Sequence, residues 1–123
     1  MKYKARHALT SLCPGAQWVL IDRNLNWLDD SRNDAFSKPT WDEIDAKVAS
    51  LNAAEPMRLL RVERDARLTA CDWTQSRDLT LSNDADWKTY RQALRDLPAS
   101  ASPKLDSKYE LDLTSVTWPT KPS

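Results

Sequence analysis

The feature that most constrains the fold is a stretch, residues 40–72, in which apolar side chains recur every three or four positions. This period places the apolar residues on one face of a helix. Thr40 and Glu43 match a capping box, so the helix is predicted to begin there. Pro56 predicts either a kink or the start of a second helix, because proline breaks a helix interior but is tolerated in a first turn. The apolar series before it is Trp41, Ile44, Val48 and Leu51.

Residues 57–72 continue the helical period. Leu60 and Leu68 widen its apolar stripe. A further helix is predicted over residues 82–97, with Ser82 or Asn83 as the N-cap and Pro98 as its end. The stripe of residues 57–72 is Leu59, Val62, Ala66 and Thr69, and that of residues 82–97 is Trp87, Tyr90, Leu94 and Leu97.

The N-terminal part has a different pattern. Residues 5–12 predict a short helix that Pro14 stops. Two runs rich in β-formers, 17–22 and 25–28, flank a short polar pair, and this arrangement predicts a β-hairpin that turns at Arg23-Asn24. Residues 29–38 predict a loop.

These elements predict a mainly α protein with a short N-terminal β-hairpin, a small α+β fold. We expect antiparallel helices around residues 40–72 and 82–97, followed by an extended C-terminal tail in which Trp118 is the anchor. Apolar and polar residues alternate weakly over residues 109–118. This pattern is compatible with an edge strand or with an extended segment on the surface. The predicted division is a helix and hairpin segment at 1–39 and a helical module with its tail at 40–123.

Composition excludes several classes of function. Phosphate-binding loops need several glycines, and Gly15 is the single one. The 18 basic and 18 acidic residues balance, so nucleic acid is not an expected partner. No run of about 18 apolar residues is present, so no membrane partner is expected either. The first ten residues also lack the apolar stretch of a secretory signal.

No group of residues predicts catalysis. The single histidine, His7, has no orienting acid or pocket in the pattern, and the carboxylate clusters are typical of helix caps and solvated faces. Cys13 and Cys71 are 58 residues apart, which fits no compact metal site. We interpret both as buried thiols of a reducing compartment, and whether they ever pair stays open. We therefore predict a protein that is not an enzyme, with no catalytic residue, cofactor or metal.

Six tryptophans are many for one modest core. Three of them fit core positions: Trp41, Trp73 and Trp87. The other three are equally compatible with a core and with an interface, where tryptophan is enriched at binding hot spots. The predicted partner-binding residues are Trp18, Trp27, Trp118, Leu59 and Val62.

Several motifs in order resemble the bacteriophage tail assembly chaperone family. They are an R-D-x-x-L helix from Arg64, D-W at Asp72, Y-R-Q-x-L-R-D-x-P from Tyr90 and W-P-x-K-P from Trp118, and the resemblance covers residues 55–122. Cys71 stands where an acidic or polar residue is common. Residues 12–20 and 26–29 are similar to a segment that precedes this module in tail-fibre-associated proteins of cyanobacterial phages.

The resemblance implies a tail or tail-fibre assembly protein that binds a tail or fibre subunit and assists its folding or assembly. It implies no catalytic residues. Asp72 and Asp96 are expected to pair with Arg91 or Arg95 where helices meet, and Trp73 to close the corner between helices. The motif positions are Arg64, Asp65, Asp72, Trp73, Trp87, Tyr90, Arg91, Arg95, Asp96, Pro98, Trp118 and Pro119.

Alternatives remain at this point. The chain is also compatible with a permanent structural component of the virion tail or baseplate, and, as a third hypothesis, with a small hydrolase. The helical face of residues 41–69 would suit a homo-oligomer. The expected location is the host cell cytoplasm during assembly, or the virion tail for a permanent component.

Overall fold

A computed structural model describes residues 1–123, the whole of the sequence. Its elements are the helices α1 (Ala5–Leu12), α2 (Trp41–Ala70) and α3 (Asp84–Ser100) and the strands β1 (Trp18–Ile21) and β2 (Asn24–Trp27). The predicted class, mainly α with an N-terminal β-hairpin, is confirmed. No helix combines the length and the apolar character that crossing a lipid bilayer requires.

The chain divides into two compact units, which are described separately: an N-terminal unit, Met1–Ala54, and a C-terminal unit, Glu55–Ser123. The division lies within α2, so each unit contains part of this helix. The sequence predicted a boundary between residues 39 and 40, where the module that resembles the family was expected to begin. This boundary stays a prediction.

The N-terminal unit is built on the predicted helix and hairpin. Ala8, Leu9 and Ile44 are fully buried, and the indole of Trp18 and the side chain of Leu20 pack on them from the hairpin. The strands are antiparallel, with Trp18 opposite Trp27. Side chains alternate between the two faces of a strand, and so Trp18 and Leu20 face inward while Val19 and Ile21 remain exposed.

The hairpin turn lies one residue earlier than predicted. Ile21 pairs with Asn24, so the two turn residues are Asp22 and Arg23. Asp22 has φ of 55°, a left-handed conformation that aspartate tolerates better than most residues. The prediction of Arg23-Asn24 was wrong because the pattern of side chains alone does not fix the register of a two-residue turn.

Asn33 fixes the base of the hairpin, and its role was not predicted. Its amide nitrogen donates to the carbonyl oxygens of Gln17, at 2.8 Å, and Leu28, at 2.9 Å. Its Oδ1 accepts from the backbone N–H of Gln17. Asn33 is buried, and these bonds satisfy backbone groups at both ends of the hairpin.

The α2 helix begins at the predicted capping box. Thr40 Oγ1 accepts from the backbone N–H of Glu43 at 3.2 Å, and Glu43 Oε1 accepts from the backbone N–H of Thr40. Pro56 lies inside the helix, which continues past it to Ala70. Of the two predicted possibilities, two helices or one kinked helix, the structure has a single helix.

In the C-terminal unit, α2 and α3 pack antiparallel, as predicted. Leu60 and Leu97 share one part of the core, whereas Cys71 packs with Trp87 at the other ends of the two helices. The end of α3 differs from the prediction, because the helix continues through Pro98 to Ser100. A proline near the end of a helix removes only one N–H and keeps a helical φ, so it does not have to stop the helix.

The segment after α3 forms no strand, and it is not continuously extended as predicted, because it includes a 3₁₀ turn at Leu113–Ser115. Its only ladder contact is an isolated bridge between Leu105 and Leu111. Trp118 is half-buried against the core residues of both α2 and α3, its Nε1–H donates to the carbonyl oxygen of Leu113, and Arg67 stacks 4.0 Å from its ring centroid. The prediction that Trp118 anchors the tail is confirmed.

Candidate docking surface

The two sides of α2 in the C-terminal unit differ in what covers them. Leu60 is fully buried against α3, whereas Val62, two residues later, is 56% exposed. Two residues correspond to a rotation of about 200° around a helix, so these side chains leave opposite faces. The face of Val62 is therefore the one that no residue of the C-terminal core covers.

Four residues share this outer face, and we name them the α2 stripe. Their 3-4-3 spacing places them one above another along the helix. Leu59 is half-buried and the other three are exposed. The members of the α2 stripe are Leu59, Val62, Ala66 and Thr69.

Charged side chains border the α2 stripe on one side. Arg58, Arg61 and Asp65 are exposed, and their positions on the helix lie next to Val62 and Thr69. Asp65 accepts a hydrogen bond from Arg64 Nε at 2.8 Å. A mixed-charge border around an apolar strip is the composition of many protein interfaces, in which a polar rim surrounds an apolar centre.

Trp73 follows the α2 stripe in the chain, just beyond the end of α2. It was predicted as a core residue, and this prediction is wrong, because Trp73 is 55% exposed. One edge of its ring contacts Trp87, with 5.8 Å between ring centroids, so the indole does sit at the corner between α2 and α3. The remaining surface of the ring is exposed beside the end of α2.

Arg91 holds this corner together. Its Nη2 donates to Asp72 Oδ1 at 3.0 Å, and its Nη1 donates to the carbonyl oxygen of Leu68 and to Cys71 Sγ. Burial opposes the charged form of Arg91, but the hydrogen bonds to Cys71 and Asp72 outweigh it and raise the pKa of the guanidinium. A cation at the C-terminal end of α2 also interacts favourably with the helix dipole, and here it adds a second donor to the Leu68 carbonyl, which already accepts from the backbone N–H of Cys71.

The predicted pairing of acids and arginines is thus right for Asp72 and wrong for Asp96. Asp96 accepts a hydrogen bond from Gln92, one turn earlier on α3, and makes no ion pair. Arg95 also donates to Gln92, while its backbone carbonyl oxygen accepts a long hydrogen bond from Arg64. Asp96 and Arg91 are five residues apart on α3, so they lie about 140° apart around the helix, whereas Gln92 at i−4 shares the face of Asp96.

The remaining tryptophans divide between the two units. Trp87 is buried as predicted, and Trp41 is half-buried with the guanidinium of Arg23 over its ring. Trp18 and Trp27 are half-buried in the hairpin of the N-terminal unit. The structure thus places Leu59 and Val62 together in the α2 stripe, while the other predicted partner-binding residues, Trp18, Trp27 and Trp118, lie elsewhere in the chain.

His7 and the two cysteines contact neighbouring residues of the fold. His7 Nδ1 accepts from the backbone N–H of Lys4 at 3.0 Å, and the ring packs edge-on against Tyr3. Cys13 and Cys71 are buried and unpaired, as predicted for thiols. Burial, with a smaller contribution from the charge of Glu43, raises the pKa of Cys13.

The C-terminal unit is thus an antiparallel pair of helices with an apolar strip exposed on one of them. Residues 57–123, more than half of the chain, match the family described as phage tail assembly chaperone protein, and the chain belongs to this family. The family gives it a role in tail assembly, and interaction with phage tail proteins is implied. No curated protein and no solved structure matches the chain.

Proposed function

We propose that the chain binds a subunit of the phage tail or tail fibre through the α2 stripe and keeps that subunit competent for assembly. The observation that carries the proposal is the exposure of Val62 opposite the fully buried Leu60, within the residues that match the family. Exposed apolar strips of this kind mark protein interaction sites.

The dimensions of the α2 stripe favour an amphipathic helix as the bound segment. Leu59 and Thr69 are ten residues apart, which corresponds to about 15 Å of helix. Their spacing is that of helix recognition, in which anchors at i, i+3 and i+7 meet an apolar face of the partner. Arg58, Arg61 and Asp65 would then meet the polar flank of that helix and set its direction.

The proposal is a binding function without a catalytic step, carried out in the host cytoplasm while tails are built. Its test is co-expression of the tagged chain with the tail and fibre genes of the same phage, followed by capture and mass spectrometry. Recovery of a tail or fibre subunit at a fixed ratio supports the proposal. Failure to recover any of them from soluble co-expressed material would contradict it.

A permanent virion component is the second candidate, since an exposed apolar strip would equally suit a stable joint in the tail or baseplate. Purified virions separate the two candidates. An assembly factor is absent from them by mass spectrometry, whereas a structural part is present at constant stoichiometry. A connection to fibres of a cyanophage belongs to the same proposal, because it rests on the sequence resemblance of residues 12–20 and 26–29 alone.

Self-association through the face of residues 41–69 stays a prediction. The face of residues 41–69 spans about four heptads, which is long enough for a coiled coil, but Ile44 within it is already buried in the N-terminal core. Light scattering during size-exclusion chromatography tests it directly. A single species near the chain mass of 14.1 kDa would contradict self-association and leave the surface for a partner.

A further inference from the structure

An apolar groove lies in the N-terminal unit, outside the residues that match the family. Its volume is about 490 Å³, and the rings of Tyr3 and Trp18 and the side chain of Leu51 form its apolar walls. His7 and Thr10 of α1 complete one side. A space of this size accepts one large apolar side chain together with the adjoining backbone.

The walls of this groove are fixed by contacts within the unit. The backbone N–H of Tyr3 donates to Asn52 Oδ1 at 2.9 Å, and Asn52 Nδ2 donates back to the carbonyl oxygen of Tyr3 at 3.1 Å. The Tyr3 ring packs edge-on against His7, with 5.4 Å between centroids. A groove whose walls are already held in place loses little conformational entropy when a ligand binds.

Arg6 is the one permanently charged residue among those that line the groove. No carboxylate lines it, and residues 1–21 contain Lys2, Lys4 and Arg6 but no acidic residue. Arg6 lies at its edge, is exposed and makes no ion pair. An unpaired guanidinium beside an apolar cavity is suited to a carboxylate placed next to an apolar side chain.

We infer that this groove is a second docking site, which takes an acidic peptide segment carrying one large apolar side chain. The apolar side chain enters between Tyr3, Trp18 and Leu51, and a neighbouring carboxylate pairs with Arg6. Trp18 would then act in binding through its groove-facing side while its other side packs on the core. The inference is independent of the α2 stripe, because every residue it uses belongs to the N-terminal unit.

The test uses the full chain, labelled with ¹⁵N, and the blocked peptide Asp-Asp-Leu-Trp-Asp-Asp as the probe. Binding is followed by chemical-shift changes up to millimolar peptide. We expect saturable shifts at the Trp18 indole N–H and at the backbone amides of α1. Two control peptides separate the contribution of the carboxylates from that of the apolar side chains. One replaces each aspartate by asparagine, and the other replaces Leu-Trp by Ser-Ser.

Two charge reversals show whether Arg6 is the recognising group. Arg6→Glu is expected to weaken binding about fivefold or more, since it removes one ion pair and adds repulsion. Arg77→Glu changes the net charge equally at another exposed arginine, in the C-terminal unit, and is expected to change affinity less than about twofold. Both variants should keep the circular dichroism spectrum of the parent chain.

Several outcomes would overturn the inference. They are the absence of shifts at millimolar peptide, shifts that lie outside α1 and Trp18, equal losses for Arg6→Glu and Arg77→Glu, and full binding of either control peptide. Recovery of a tail subunit through the α2 stripe would be unaffected by any of these results, so the two proposals fail separately.

Discussion

Arg91 of α3 donates to the carbonyl oxygen of Leu68, 3.0 Å away, and in this way closes the C-terminal end of α2. The same guanidinium reaches Asp72 and Cys71 just beyond that end. One side chain therefore fixes both the crossing of the two helices and the start of the turn that carries Trp73. The α2 stripe and the exposed indole depend on this corner for their positions.

Removal of the Arg91 side chain should destabilise the C-terminal unit. Arg91→Ala removes the ion pair with Asp72 and the charged donor to the Leu68 carbonyl, and we expect a loss of about 1–3 kcal/mol in the free energy of unfolding. Arg95→Ala is the matched control, because Arg95 is exposed and should cost less than about 0.5 kcal/mol. Urea unfolding followed by tryptophan fluorescence measures both. Equal, small losses would contradict the role given to Arg91.

Leu60 and Val62 provide a direct comparison of the two faces of α2. Leu60→Ala creates a cavity in the core and should cost about 2–5 kcal/mol. Val62→Ala removes an exposed side chain and improves helix propensity, so its effect should stay within about 0.5 kcal/mol. The measurement is again urea unfolding of the isolated chain. A large loss for Val62→Ala would mean that this face is covered within the monomer.

Asn33 should be important for the hairpin although it lies in a loop. Asn33→Ala leaves the part-buried N–H of Gln17 and carbonyl of Leu28 without a protein partner, while the Gln17 carbonyl keeps the N–H of Leu28, and we expect a cost of about 1–3 kcal/mol. Asn26→Ala, an exposed asparagine in β2, is the control and should change stability little. Thermal melts of both variants test this. Identical melting temperatures would show that solvent replaces the bonds of Asn33.

The sequence predicted the parts of the fold that local patterns determine. The capping box at Thr40 and the period of α2 and α3 are consequences of short-range geometry, and they were identified with small errors at the ends. The hairpin register and the contacts of Asn33 depend on how distant segments meet, which a local pattern does not specify. Trp73 was misplaced for the same reason, since the 3₁₀ turn after α2 re-aims its side chain.

The candidate site was predicted only in part. Leu59 and Val62 were named as partner-binding residues, but the apolar period on α2 did not reveal which of its two sides would pack on α3. Leu60 and Leu68 are larger than Ala66 and Thr69, and burial of larger side chains on the α3 side is consistent with the hydrophobic effect. The groove beside Trp18 was not predicted at all, because it is formed by residues more than 40 positions apart.

Asp30 gives a pH-dependent prediction. The hydrogen bond from the Arg32 side chain, together with one from its backbone N–H, lowers the pKa of Asp30 to about 2. A carboxyl whose pKa is lowered in the folded chain contributes stability above its ordinary pKa, and this contribution is lost as the pH falls toward 2. Carbon-detected NMR should show Asp30 titrating near that value. Arg32→Ala should raise the pKa, and an Asp30 that already titrates in the ordinary range in the parent chain would refute the assignment.

The most direct test of the account is the affinity of the chain for the tail or fibre subunit recovered by co-expression, compared between Val62→Glu and Val19→Glu. Both variants place the same charge at an exposed valine, one in the α2 stripe and one in β1. We predict that Val62→Glu weakens binding at least about tenfold, since it buries a carboxylate in an apolar contact, while Val19→Glu binds like the parent chain. Equal affinities for Val62→Glu and the parent chain would contradict the assignment of the α2 stripe as the docking surface.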